Sequence, residues 1–131
     1  MIVRTASCSC GQLTAVATGD PIRVSVCHCL ACQRRTGSAF GAQARFRRID
    51  VEIRGQSTSY VRTGDSGKKT TFHFCGKCGA AVYYDLALQE DEVAIPLGAF
   101  ADPAFPHPVI SVYEDYKHLW VDLPICSEHI A

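Results

Sequence analysis

Thr70-Thr71-Phe72-His73-Phe74 and Ala80-Ala81-Val82-Tyr83-Tyr84 flank the segment Cys75-Gly76-Lys77-Cys78-Gly79. The flanking runs are β-branched and aromatic, the composition of strands, and between them two cysteines three positions apart form a metal-knuckle pattern closed by glycine. The same character recurs outward in both directions. Gln12 to Ala17, Ile22 to Val26, Ala39 to Phe46, Val51 to Ile53, Ser57 to Val61, Glu92 to Leu97 and Val109 to Tyr113 are further strand-like runs, punctuated by Gly, Pro, Asp and Ser. The spacing predicts a mainly β domain of short antiparallel strands spanning residues 1–131. Only Leu30 to Arg35 and Leu86 to Glu90 suit a helical turn, and each is too short to stand without tertiary support. Asp102 to Pro108, with three prolines, is expected to be an irregular loop.

Composition narrows the function classes. The 131 residues carry thirteen Lys+Arg against thirteen Asp+Glu and no long run of one sign, so no nucleic-acid or anionic-membrane partner is expected. No apolar run reaches the length of a spanning helix, and Met1 to Asp20 lacks the apolar centre of a signal peptide, which predicts a cytoplasmic protein. Eight cysteines are the strong departure from average usage. In a reducing compartment they point to metal, with disulfides or buried free thiols as the alternative.

Seven of the eight fall into two groups. Cys8-Ser9-Cys10-Gly11 and Cys75-Gly76-Lys77-Cys78-Gly79 each deliver a close pair followed by glycine, and two such pairs from distant segments match the four thiolate corners of a structural zinc. Cys8 and Cys10 are expected on an extended strand, where alternate side chains share a face. The second group, Cys27-His28-Cys29-Leu30-Ala31-Cys32, offers three thiolates within six residues. Three protein ligands are the mark of a metal with an open corner, whereas four close the site. His28 is expected to face away from that metal, as a surface or supporting residue. Three thiolates leave zinc with a net charge of about −1, a poor setting for ionising water but a suitable one for holding an incoming thiol as the nucleophilic thiolate. Two zinc ions per chain, and small thiol and carbonyl substrates, are therefore expected.

Cys8-x-Cys10-Gly11, Cys27-His28-Cys29-x-x-Cys32-Gln33-Arg34-Arg35-Thr36-Gly37-Ser38-Ala39-Phe40, Phe74-Cys75-x-x-Cys78-Gly79 and the closing segment Val112 to Trp120 together resemble the glutathione-dependent formaldehyde-activating enzyme family, whose domain centromere protein V shares. The resemblance implies a β-tent fold, a structural zinc on Cys8, Cys10, Cys75 and Cys78, and a second zinc on Cys27, Cys29 and Cys32. It also implies a carbon–sulfur lyase reaction run in reverse, in which glutathione and formaldehyde give S-(hydroxymethyl)glutathione. The rival reading is a non-catalytic zinc module for protein or macromolecular interaction, and a filled fourth corner would favour it. A thiol redox role for Cys29 and Cys32 lacks the βαβ pattern that such chemistry expects.

Other residues carry weaker expectations. Arg34 and Arg35, beside the three-cysteine group, are candidates to bind a substrate carboxylate. Gly37 is expected to turn the chain into the next strand, His73 to occupy the solvent face of its strand, and Trp120 to anchor the C-terminal segment to the core. His118 lies in a polar run read as a surface turn. Cys126 is expected to be a buried, inert thiol, with a fourth-ligand role as its functional alternative.

Overall fold

The quoted segment folds as a hairpin: β7 (Lys69–Phe74) and β8 (Ala81–Asp85) pair antiparallel, and the knuckle is the loop between them. The computed structural model describes residues Met1–Ala131. Before the hairpin come β1 (Val3–Ser7), β2 (Thr14–Thr18), β3 (Arg23–Cys27), α1 (Leu30–Thr36), β4 (Gly41–Arg47), β5 (Val51–Arg54) and β6 (Thr58–Thr63). After it come β9 (Glu92–Pro96), β10 (Ile110–Val112) and β11 (Glu128–His129). The protein is mainly β, as its sequence indicates. No helix is long and apolar enough to cross a membrane.

Two sheets form, a small one in the order β1-β2-β5 and a large one in the order β11-β10-β3-β4-β9-β8-β7-β6. Their facing sides enclose the core. Ala6, Ala15 and Ala17 from the small sheet leave room for Phe46, Val82, Val93 and Ile95 from the large one, with Phe100 and Phe105 closing the end. Phe105 lies in the irregular Asp102 to Pro108 loop and stacks on Phe100 at 4.6 Å, so that loop is anchored by one aromatic ring.

The opposite face of the large sheet carries the site, and period-two alternation puts it there. Val24, Ala44 and Phe46 point into the core, while Arg23, Ser25, Cys27, Gln43 and Arg45 point to the other side. A bulge between β7 and β8 extends that division. Phe74 pairs with Ala81 but His73 pairs with Tyr83, so Val82 is an extra residue, and Val82 faces the core while Tyr84 faces the outer side with Phe72.

Several details differ from the sequence expectations. β1 and β11 were not expected. In β1 only Ala6 is buried, and β11 is a two-residue polar strand, so neither carries an apolar alternation. The sheet is not wholly antiparallel, because β10 runs parallel to both β3 and β11. Leu86 to Glu90 forms turns, not a helix. α1 does form, capped by the Cys29 sulfur at its start and by Gly37 at φ 70 at its end.

Candidate metal centres

The first cysteine group sits where the two sheets meet at two hairpin loops. Cys8 and Cys10 lie in the β1–β2 loop, not on an extended strand: β1 ends at Ser7 and the chain turns through Ser9 and Cys10. The Gly11 N–H closes this turn on the Cys8 carbonyl, and the Gly79 N–H does the same on Cys75 in the β7–β8 loop. Both glycines have positive φ, 85° and 80°, which an L side chain adopts only with strain. The sulfurs of Cys8, Cys10, Cys75 and Cys78 lie within 4.8 Å of one another, with Cys10 Sγ at 3.7 Å from Cys8 Sγ and 3.6 Å from Cys75 Sγ.

Donors surround these sulfurs. The Leu13 N–H donates to Cys8 Sγ, while the Lys77 N–H and the Gln12 side-chain amide donate to Cys75 Sγ, the last at 3.1 Å. The Gln12 amide, followed by backbone N–H groups, pulls the Cys75 thiol down to about 6. Such a set of donors favours thiolate, the form that binds metal.

The second group is built by the end of β3 and the start of α1. Cys27 is the last residue of β3, Cys29 caps α1, and Cys32 is one turn into the helix, so a strand-to-helix corner gathers the sulfurs of Cys27, Cys29 and Cys32 within 4.8 Å. The Cys32 N–H donates to Cys29 Sγ at 3.3 Å, and Arg35 Nη2 lies 3.9 Å from Cys32 Sγ. The Cys27 thiol donating to it, assisted by Cys29 and Arg35, pulls Cys32 down to about 5, and its hydrogen bond to Cys32 together with burial pushes Cys27 up. Both cysteine groups can hold a metal ion.

Cys27 and Cys32 open onto a cavity of about 520 Å³ on the outer face of the large sheet. Arg23, Arg35, Arg45 and Arg62 line it with Phe72 and Tyr84. A smaller cleft beside it is lined by Cys27, Cys29 and Cys32, and Tyr113, whose φ is 57°, lines both. Arg35 thus faces the cavity, whereas Arg34 is exposed and borders only an adjoining groove, with Tyr60 and Phe74, that Arg35 also lines. Gly41, across the β3–β4 ladder from Cys27, keeps this corner tight: a Cβ there would meet Arg35 Nη2 at 3.1 Å and Cys32 Cβ at 3.5 Å.

Arg23, Arg45, Arg62 and Tyr84 were not singled out in the sequence. For Arg23 and Arg45 the signal was a polar residue at every second position of Arg23-Val24-Ser25-Val26-Cys27 and Gln43-Ala44-Arg45-Phe46, which marks a second face of these strands.

Three further expectations need correction. His28 is not on the surface. It points away from the three sulfurs and is fully buried, 2.8 Å from Ser111 Oγ and edge-on to Phe40, and burial lowers its pKa. His73 is half-buried rather than on an open solvent face: its ring stacks on Tyr83 and bridges Ser57 Oγ and Asp85 Oδ2. Trp120 is 74% exposed, touching the edge of His118, and does not pack in the core. His118 itself donates from Nε2 to Gln33 Oε1, tying the polar run to α1. Cys126 is buried, its thiol on the Pro108 carbonyl, and belongs to neither sulfur group.

Comparison with known proteins agrees with this architecture. A solved structure of a protein from Rhodobacter sphaeroides matches with a TM-score of 0.58 at 18% sequence identity, covering 76% of this chain and 91% of that one, a likeness of fold. Comparison with curated proteins finds no match. A family model described as glutathione-dependent formaldehyde-activating enzyme matches residues 3–116, a span that contains both sulfur groups and nearly the whole cavity lining. On that match, the chain belongs to the glutathione-dependent formaldehyde-activating enzyme family.

Proposed function

We propose that this protein is a zinc-dependent enzyme of the carbon–sulfur lyase type, adding a small thiol reversibly to an aldehyde such as formaldehyde. Cys8, Cys10, Cys75 and Cys78 hold a structural zinc in this reading, and Cys27, Cys29 and Cys32 hold the second. The donor chemistry supports zinc: at a Zn–S bond of about 2.3 Å, tetrahedral sulfurs stand roughly 3.8 Å apart. The 3.7 and 3.6 Å separations in the first group fit that spacing.

The observation that carries the enzymatic reading is that the three-sulfur group opens onto a cavity through Cys27 and Cys32 and onto the cleft beside it through all three cysteines. Cys27, Cys29 and Cys32 would hold the zinc, which would stabilise an incoming thiol as thiolate. The chain's own groups do the rest. Arg35, 3.9 Å from Cys32 Sγ, offsets the negative charge gathered on the sulfurs. Burial pushes the Tyr84 phenol up, so it keeps its proton at neutral pH. Tyr84 and Arg35 face the same cavity and offer donors to the oxygen that becomes negative as sulfur adds to the carbonyl carbon. That oxygen then takes a proton to give the hydroxymethyl thioether, and the reverse reaction returns thiol and aldehyde.

The test is exchange spectroscopy with carbon-13 formaldehyde and a panel of small thiols. The wild type is expected to accelerate formation and breakdown of the adduct, Cys29→Ser to return both to the uncatalysed rate, and Cys126→Ala to behave as wild type. An unaccelerated wild type carrying two zinc equivalents would exclude the enzyme reading.

A further inference from the structure

The arginines of the cavity are arranged in two stations. Arg23 and Arg45 are direct partners in the β3–β4 ladder, two like charges opposite each other on one face. That placement destabilises a sheet unless an anion lies between the charges. At the second station Arg35 lies over the rings of Phe72 and Tyr84, at 4.9 and 5.3 Å, and Arg62 lies over Phe72 at 5.4 Å. These cation–π contacts hold the two guanidiniums against the aromatic side of the cavity, where a carboxylate can pair with them.

The charges are matched only in part, with Arg35 Nη2 lying 3.9 Å from Cys32 Sγ. Only Arg45 has a carboxylate within ion-pair distance, Glu92 at 4.0 Å, and no aspartate or glutamate lines the cavity. Arg23 Nε, Arg35 Nε and Arg62 Nη1 are buried without a hydrogen-bond partner. Gln43 Oε1 is the one unpaired acceptor among the lining side chains, and it is neutral. Orphan donors on buried cations are costly, and an anion held among these guanidiniums offsets part of that cost. Burial and the neighbouring Arg23 lower the pKa of Arg45 despite the opposing pull of Glu92, as expected where two cations face each other.

We propose that the thiol taken by this cavity carries two carboxylates and no ammonium group, so that a mercapto-dicarboxylic acid is preferred to glutathione. The proposal rests on the thiol reading of the three-sulfur group and deepens it. Two arginine stations on one wall match two separate carboxylates better than one compact anion. An ammonium group, which glutathione carries beside one of its carboxylates, meets no carboxylate side chain and four guanidiniums in this cavity.

Calorimetric titration of the metal-loaded chain at low salt tests this, with mercaptosuccinate, succinate and glutathione as probes. Mercaptosuccinate is expected to bind at least tenfold more tightly than glutathione, and succinate to bind measurably, with an affinity that falls as salt is added. The double variant Arg23→Gln, Arg62→Gln should lose that preference while keeping its circular dichroism. Glutathione binding as tightly as mercaptosuccinate overturns the proposal, and so does a folded double variant that keeps the preference. Should the double variant fail to fold, the wild-type comparison still decides. The two readings fail differently. If mercaptosuccinate binds no more tightly than succinate while both exceed glutathione, the dicarboxylate preference stands and the thiol role falls. If both thiols bind equally and far more tightly than succinate, the thiol role stands and the dicarboxylate preference falls.

Discussion

Phe46 and Trp120 show how differently one aromatic ring and another are used in this chain. Phe46 is 1% exposed between the two sheets and tilted against Phe100, whereas Trp120 is 74% exposed and next to Leu119, which is fully exposed. Phe46→Ala is expected to lower unfolding free energy by about 3–5 kcal/mol, and Trp120→Ala to change it by less than about 0.5 kcal/mol, both read from urea denaturation. A large loss at Trp120 would mean that the closing segment packs in a way this structure does not contain. The sequence expectation for Trp120 went the other way because size and hydrophobicity bias a tryptophan inward, and nothing local in Lys117-His118-Leu119-Trp120 encodes what lies beneath it. The cysteines were more legible. Close spacing within a short segment restricts where two sulfurs can go, so Cys75 and Cys78, or Cys27, Cys29 and Cys32, converge as their spacing indicates. The arginines of the cavity are brought together by strand register and a bulge, which are set by long-range pairing and leave only a faint alternation in the sequence.

At the scale of elements, the C-terminal strand is held by polar groups more than by burial. His28 Nε2 and Ser111 Oγ are hydrogen-bonded at 2.8 Å, Ser111 helps to lower the Glu114 carboxyl, and His129 Nδ1 donates to Glu114 Oε2 at 2.7 Å. This relay joins the corner that carries the three cysteines to β10 and β11. The hydrogen bond to Glu114 raises His129 above its ordinary 6.5, and the bond from His129, followed by Ser111, lowers Glu114 below its ordinary 4.5. A raised histidine contributes stability that is fully present below its unfolded value and is lost as pH rises through its folded value. A lowered carboxylate contributes stability present above its unfolded value and lost as pH falls through its folded one. The pair is therefore strongest between about 4.5 and 6.5 and weakens above that window. Hydrogen exchange at the Ile130 amide, which donates to the Ser111 carbonyl at 2.8 Å, should show protection decreasing from pH 6 to pH 8 after correction for intrinsic rate. His129→Gln should flatten that profile, and pH-independent protection in the wild type would show that the pair does not hold the strand. Both ends of this relay were hidden from the sequence. β11 is two polar residues whose pairing depends on a parallel neighbour reached only through the loop that follows β10, whereas the hairpin β7–β8 was readable because its runs and its loop are adjacent in the chain.

For the whole molecule, the question is what keeps two sheets together around so small a core. A 14.3 kDa chain is expected to expose roughly 6,800 Å² when folded. This one exposes 7651 Å², and the inner side of its small sheet is lined largely by alanine. Apolar burial between the sheets is therefore modest. The first sulfur group compensates by position: Cys8 and Cys10 hang from a hairpin of the small sheet, Cys75 and Cys78 from a hairpin of the large one, and a metal on all four fastens one sheet to the other. Apparent free energies of about 10–16 kcal/mol for structural zinc in small peptides equal or exceed the usual 5–15 kcal/mol stability of a domain, so the fold is not expected to survive loss of that ion. The second group is different in kind, since Cys27, Cys29 and Cys32 belong to one strand-to-helix corner within the large sheet and join no separate elements. An ion held there by three protein ligands should also exchange faster. Titration with a mild chelator should accordingly remove one zinc equivalent with far-ultraviolet and near-ultraviolet circular dichroism unchanged. A stronger chelator should then remove the second equivalent together with the tertiary signal. Cys75→Ser should reproduce the second stage, giving insoluble or unfolded protein, and Cys29→Ser only the first. Loss of both equivalents in a single step with unfolding, or a Cys75→Ser protein with full metal content and native melting, would contradict this division of the cysteines.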